Sequence, residues 1–220
     1  SNALQEAVPA GPDGEEVRSL AALAERAAAQ MGRLIRDLLD VSSIEAGRLR
    51  FEFHDHAPAL LLDEAADLLA PLAAQKEISV EKHVAAEISL VRCDRDRIQQ
   101  VLSNLIGNAI KFTPENGKIW LRARSTSDEV TFIVIDNGPG ISAEAIPRIF
   151  DRHWTGRGKA GADTGLGLYI AKGIVEAHEG RIAVAIAPGG GTEFSFTLPL
   201  SGPARPSWAE APPDAHQPAP

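Results

Sequence analysis

Between Glu15 and about Ala46 no proline interrupts the chain, and Val17, Leu20, Ala24, Ala27, Met31, Leu34, Leu38 and Val41 follow one another at steps of three and four. That spacing is the repeat of one helix face and predicts a single long helix. Leu23, Ile35 and Leu39 widen the apolar stripe. So broad a face needs another helix or a second copy to cover it. After Gly47 the pattern shortens. FEFHDH reads as a strand, Ala59 to Gln75 as a helix, and EISVEKH and ISLV as further strands. Asp94 is placed to cap a helix running to about Phe112. GKIWLRARS and EVTFIVID then alternate apolar and polar positions. Beyond loops from Asn137 to Asp163 come a helix from about Gly165 to Glu179 and two more strands, RIAVAIA and GTEFSFTLPL. Strands mixed with a few helices predict an α/β (α+β) sandwich in which helices cover one face of a sheet, preceded by one long helix.

The ends have a different character. Residues 1–14 carry Pro9, Pro12 and two glycines and read as a linker, and Ser1, Asn2 and Ala3 read as the remnant of a cleaved tag. With Met31 as the only methionine, the chain is expected to be a fragment of something longer. The tail, residues 201–220, holds six prolines in twenty residues and is expected to be flexible, with Trp208 the side chain best suited to anchor it.

Composition narrows the function. At 44% hydrophobic and 24% charged the chain has the balance of a globular protein. No apolar run reaches the roughly 18 residues of a membrane helix. A formal charge of -8, from 22 Lys and Arg against 30 Asp and Glu, argues against a general nucleic-acid or anionic-membrane surface, so an anionic ligand must be held locally. The single cysteine, Cys93, cannot form an internal disulfide, and nothing resembles a signal peptide. Both point to a reducing, cytoplasmic setting.

Three segments carry chemistry. On the helix after Asp94, Ile98, Val101, Leu102, Leu105, Ile106 and Ala109 fill one arc, while Arg97, Gln100, Asn104, Asn108 and Lys111 fall in a separate arc about 80° wide. A polar arc is most often a solvated face. Two mid-helix asparagines speak against that, because Asn is a poor helix former. Their oxygens can ligate Mg²⁺, and Lys111 can meet a phosphate. The second segment, VIDNGPGIS, ends a strand in Asp136, and Gly138 and Gly140 let the backbone turn and approach a ligand closely. A carboxylate there can accept from an exocyclic amine, although Asp-Asn-Gly is also an ordinary turn. The third is ADTGLGLYIAK. Thr164 is a candidate cap, and Gly165 and Gly167 leave a helix N-terminus open to phosphate oxygens. The preceding DRHWTGRGKAGAD, with Arg152, Arg157 and Lys159, reads as a cationic flap or as a plain surface loop.

In this order, and closed by GGGTEF, the segments resemble the ATP-binding catalytic domain of bacterial two-component sensor histidine kinases. NLIGNAIKF resembles that family's N box, DNGPG its first glycine box, IFDRHW its F box, TGLGL its second glycine box and GGGTEF its last. The upstream RLIRDLLDVSSIEAGRL resembles the second helix of the family's dimerisation and phosphoacceptor hairpin. The resemblance implies a mixed sheet backed by three helices over residues 51–200, and a partial hairpin over 15–50. It implies ATP and Mg²⁺ as cofactors, with Mg²⁺ on Asn108 supported by Asn104, phosphate on Lys111, and adenine against Phe112. The adenine amine is expected on Asp136 with help from Thr192. Gly138, Gly140, Thr164, Gly165, Leu166, Gly167 and Leu168 are expected to line the nucleotide, and Arg152 and Lys159 to reach its phosphates from a closing lid. A homodimer through the long helix and a response regulator are the implied partners.

Two departures bound what this chain does. The family's acceptor box, of the form His-Glu-Leu-Arg, is absent. None of the six histidines, His54, His56, His83, His153, His178 and His216, lies on a helix ahead of Glu15. The acceptor is expected outside this chain, which would then not phosphorylate itself. The ATP-hydrolysing relatives carry a Glu one turn before the Mg²⁺-binding Asn; here that position is the neutral Asn104, which cannot activate water. The expectation is therefore a protein-histidine kinase core. A hydrolysing ATPase of the same fold and a non-catalytic nucleotide-sensing dimerisation module are the alternatives.

Overall fold

A computed structural model of the chain describes residues 12–85, 88–155 and 164–201. The long helix α1 spans Pro12–Glu45. It begins three residues earlier than the periodicity predicted, because a proline in the first turn lacks only an N–H that has no helical partner there. After a turn at Gly47 come β1 (His54–His56), α2 (Pro58–Gln75), β2 (Ser79–Val84), β3 (Val91–Cys93) and α3 (Arg95–Phe112). Then follow β4 (Lys118–Ser125), β5 (Glu129–Asp136), a short 3-10 turn at Ile146–Arg148, α4 (Gly167–Ala177), β6 (Ile182–Ile186) and β7 (Thr192–Pro199).

Five strands form one sheet in the order β2-β4-β5-β7-β6; β2 and β4 are parallel and the other neighbours antiparallel. β1 and β3 make a separate antiparallel ribbon, joined to the end of β7 by a bridge between Val91 and Leu200. The expected strands FEFHDH and ISLV are thus shorter and shifted. Only His54 to His56 pairs in the first, and the second begins at Val91.

Alternation builds the layers. Ile119 and Leu121 of β4, Val130, Phe132 and Val134 of β5, and Phe194, Phe196 and Leu198 of β7 are buried on one face. Phe132 stacks on Phe196 across the β5–β7 pair, ring centroids 4.8 Å apart. Over them lie α2, α3 and α4, contributing Leu61 and Leu62, then Ile98, Leu102, Leu105 and Ile106, then Ile170 and Ile174. Three helices on one face of a mixed sheet is the predicted sandwich.

α3 starts where expected: the Asp94 carboxylate accepts from the Arg97 N–H at 3.1 Å. It stops before Pro114, which cannot continue a helix.

The stripe of α1 divides in two. Val41 is buried, Ile44 packs on α4 at Gly173, and Asp40 is only 8% exposed. Leu34 is half-buried, and Val17, Leu20, Leu23, Met31, Ile35, Leu38 and Leu39 are exposed. The last turns of α1 therefore dock on this chain's own domain, and the rest of the stripe is uncovered in the single chain.

Candidate functional site: a cleft between the sheet end, three helices and the glycine turns

The polar arc of α3 is not a solvated face. Near its start, Arg97 Nη1 donates to Asp40 Oδ1 at 2.7 Å and Gln100 Nε2 donates to Asp40 Oδ2 at 2.6 Å, tying α3 to α1. In the middle, Asn104 Nδ2 donates to the Gly167 carbonyl at 3.0 Å, tying α3 to the first residue of α4. Only the later part, Asn108, Lys111 and Phe112, is left to line a cleft, together with Asn104 itself.

That cleft has a volume of about 1320 Å³ and brings together residues far apart in sequence: Asn104, Asn108, Lys111, Phe112, Asp136, Gly140, Thr164, Gly165, Gly167, Leu168 and Thr192. The sheet supplies one end. Asp136 and Thr192 are directly opposed residues of β5 and β7. Asp136, 3% exposed, accepts on Oδ1 from the Gly138 N–H at 2.8 Å and the Thr192 N–H at 3.3 Å. Burial pushes its carboxyl above the ordinary Asp range, against the lowering pull of those N–H groups and the Thr192 hydroxyl. A carboxylate held in that way is an acceptor fixed in place at the rim of an apolar wall. Gly138 is required by close approach: a Cβ there would stand 2.8 Å from the Phe112 carbonyl and 2.9 Å from Asp136 Oδ1.

At the other end lies the start of α4. Gly165 adopts φ +63, and a Cβ on it would come within 2.6 Å of the His153 and Trp154 backbone. This left-handed residue displaces the helix start. Thr164 accepts from the Leu166 N–H at 3.3 Å, but α4 begins at Gly167, so Thr164 caps the turn ahead of the helix rather than the helix itself. Leu166 is buried in the core and does not line the cleft; Leu168 does. Between the two ends, Lys111 Nζ sits 4.7 Å from the Phe112 ring centroid, and burial lowers its pKa. Phe112 is half-exposed at the cleft.

On the α3 side of the cleft the side-chain oxygens are the amides of Asn104 and Asn108, both neutral, and with Asn104 Nδ2 committed to Gly167 its Oδ1 is the atom left to ligate. Among the described residues no group of three His, Cys, Asp or Glu could hold an ion. Amide oxygens suit a Mg²⁺ that arrives with phosphates and keeps several waters.

Arg152 is not among the lining residues. Its Nη1 is 2.8 Å from Glu45 Oε1 at the end of α1, and its Nε donates to His153. Arg157, Lys159 and Trp208 lie outside the described residues. Not legible in the sequence was a wall from α1: Gln30, Arg33, Leu34 and Asp37 also line the cleft. Asp37 is raised above the ordinary Asp range by burial and by Asp40, with Arg36 and Arg33 opposing. The signal was the set of polar positions beside Leu34 in the stripe; nothing local said what they would face.

A mixed sheet with helices on one face, an acid at the sheet end and an open helix start across a glycine-lined cleft define an ATP-binding domain. The histidine kinase-, DNA gyrase B-, and HSP90-like ATPase family matches residues 93–202, half of the chain, which belongs to that family. Within it, the chain is the ATP-binding catalytic domain of a sensor histidine kinase. It is 35% identical over 185 residues to the sensor protein DivL of Caulobacter vibrioides, covering 84% of this chain and 24% of DivL. Full-length ShkA in complex with AMPPNP superposes with a TM-score of 0.76 at 30% identity, over 86% of this chain and 40% of ShkA. The histidine kinase ThkA in complex with the response regulator TrrA gives 0.63 at 30% identity, over 78% and 49%. The chain spans less than half the length of the curated relatives it matches first.

Proposed function

We propose that this chain binds Mg-ATP in the cleft and is the catalytic part of a protein-histidine kinase, transferring the γ-phosphoryl group to a histidine for relay to a response regulator. The observation that carries this is the pairing of Asp136, buried and held by Gly138 and Thr192, with the α4 start across one cleft floored by Asn108 and Lys111. Asp136 takes the adenine amine and Phe112 packs on the base. Asn108, supported by Asn104, offers its amide oxygen to the metal. Lys111 meets a phosphate, and the N–H groups at Gly165, Gly167 and Leu168 receive its neighbours. Mg²⁺, when bound, neutralises charge on the phosphates. An imidazole nitrogen then attacks the γ-phosphorus in line, the bond to the leaving ADP oxygen breaks, and phosphohistidine forms.

Asn104, at the position where hydrolysing relatives carry a Glu, is neutral and hydrogen-bonded to Gly167, so it does not activate water in competition with that nucleophile. The acceptor is supplied from outside: no histidine among the described residues lines the cleft, and His178 is buried elsewhere. Residues 15–50 act as the second helix of a dimerisation hairpin, and the ThkA–TrrA complex supports a response regulator as partner. Among the described residues no helix is long and apolar enough to cross a membrane. Calorimetric titration with ATP and ADP tests the proposal. Saturable heat that Asn108→Ala greatly weakens is expected; no heat with either nucleotide would overturn it.

A further inference from the structure

The end of α3 carries Asn108, Lys111 and Phe112 into the cleft, yet packing holds its last residue loosely. Phe112 is 53% exposed, so its ring goes where its backbone puts it. The final carbonyls of a helix have no partner within the helix. Here a side chain from another element takes them. Lys76 Nζ donates to the carbonyls of Ile110 at 2.7 Å, Lys111 at 3.1 Å and Thr113 at 2.6 Å. An ammonium has three N–H groups, and all three are used.

Lys76 does not line the cleft. It follows α2, where its own N–H bonds the Ala73 carbonyl and its carbonyl accepts from the Asn116 N–H at 3.0 Å. One residue thereby joins the end of α2, the end of α3 and the turn ahead of β4. Two of the carbonyls it holds flank Phe112. The Phe112 carbonyl in turn lies against Gly138, where a Cβ would come within 2.8 Å of it, and the Gly138 N–H donates to Asp136. A continuous set of contacts runs from Lys76 through the backbone at Phe112 to the carboxylate across the cleft.

We infer that Lys76 is a positioning residue for nucleotide binding, setting Lys111 and Phe112 at their distance from Asp136 without touching the ligand. The inference rests on the nucleotide function proposed above. A Lys that only capped the helix would add stability and leave affinity alone; a positioning Lys changes affinity while the protein stays folded.

The experiment is calorimetric titration of the full chain with ATP and with ADP, below the melting transition of every variant. Lys76→Met is expected to weaken both nucleotides about tenfold, as loss of charge-assisted hydrogen bonds behind a binding wall does. Lys76→Arg, which keeps donors for the carbonyls, is expected to recover affinity to within about threefold of the parent. In a Phe112→Ala background, Lys76→Met should cost much less than in the parent, because coupled residues do not add. If Lys76→Met does not fold, Lys76→Gln, with a shorter neutral donor, carries the same comparison. A lowered melting temperature with unchanged affinity, or an equal loss with and without Phe112, overturns the positioning role. A parent chain that binds neither nucleotide overturns the nucleotide function and this inference with it; a parent that binds while Lys76→Met is indifferent overturns the inference alone.

Discussion

Asp136 is held at a cost to stability. Its folded pKa is raised by burial, so the folded state favours the protonated form, and the ionised group opposes folding as pH rises above the ordinary Asp range. Asp136→Asn keeps an oxygen for the Gly138 and Thr192 N–H groups and removes the buried charge. The melting temperature at pH 7 is expected to stay level or rise, while ATP affinity falls about tenfold or more, since a hydrogen bond to a charged acceptor is worth roughly 1.5–3 kcal/mol. A large fall in melting temperature, or full affinity, would count against the role given to this carboxylate.

His178 titrates in the opposite sense. Its Nε2 accepts from the Asp94 N–H at 3.1 Å, and its Nδ1 lies 2.8 Å from the Ile174 carbonyl, so the ring is neutral with the proton on Nδ1. It is 3% exposed, with the Phe51 and Phe53 rings tilted against it, and burial lowers its pKa below 6.5. The unfolded chain takes up a proton near pH 6.5 and the folded chain only lower, so this stability is complete above pH 6.5 and declines as pH falls, by at most about 1.4 kcal/mol per unit. Urea midpoints between pH 8 and pH 5 should show that decline in the parent and a shallower one in His178→Gln.

At the scale of elements, the contact that decides the shape of the cleft is the one between α1 and α3. Asp40 takes both Arg97 and Gln100, and it is nearly buried. Asp40→Ala leaves Gln100 Nε2 without its acceptor and Arg97 Nη1 with only Gln100 Oε1, 3.0 Å away. Removing one partner of a fully buried pair costs about 3–5 kcal/mol, and the partial exposure of Arg97 reduces that to roughly 1–2. Hydrogen exchange is the direct measurement: amides between 33 and 45 should exchange faster in Asp40→Ala, while those of β5 and β7 stay protected. Unchanged protection in α1 would mean that Val41 and Ile44 hold the helix by themselves.

For the whole molecule, the uncovered part of the α1 stripe sets the behaviour in solution. Met31, Ile35, Leu38 and Leu39 are 52–62% exposed along α1. Burying a Leu-sized side chain contributes about 1.5–3 kcal/mol, against an association cost on the order of 4–15. Self-association of micromolar strength is expected. Sedimentation across concentration should show it in the parent and show it weakened at least about tenfold in an Ile35→Glu, Leu39→Glu variant, with no change in melting temperature. Monomers in both cases at high micromolar concentration would remove the dimerisation role given to α1.

What the sequence determined by itself is whatever rests on neighbours along the chain. The repeat of three and four in α1, the alternation in β4, β5 and β7, the Asp94 cap, and the acid placed where EVTFIVID ends are local relations. With the order of the glycine boxes they were enough to place the fold and the cleft residues on α3, β5 and α4. Only the tertiary structure decided how the polar arc of α3 is shared among α1, α4 and the cleft, because Asp40, Gly167 and the arc meet through folding rather than through spacing. The same holds for Arg152, committed to Glu45, and for Lys76, whose three bonds go to carbonyls that any sequence possesses. A side chain that acts on backbone leaves no complementary residue to read, so its partner becomes visible only when the chain has folded around it.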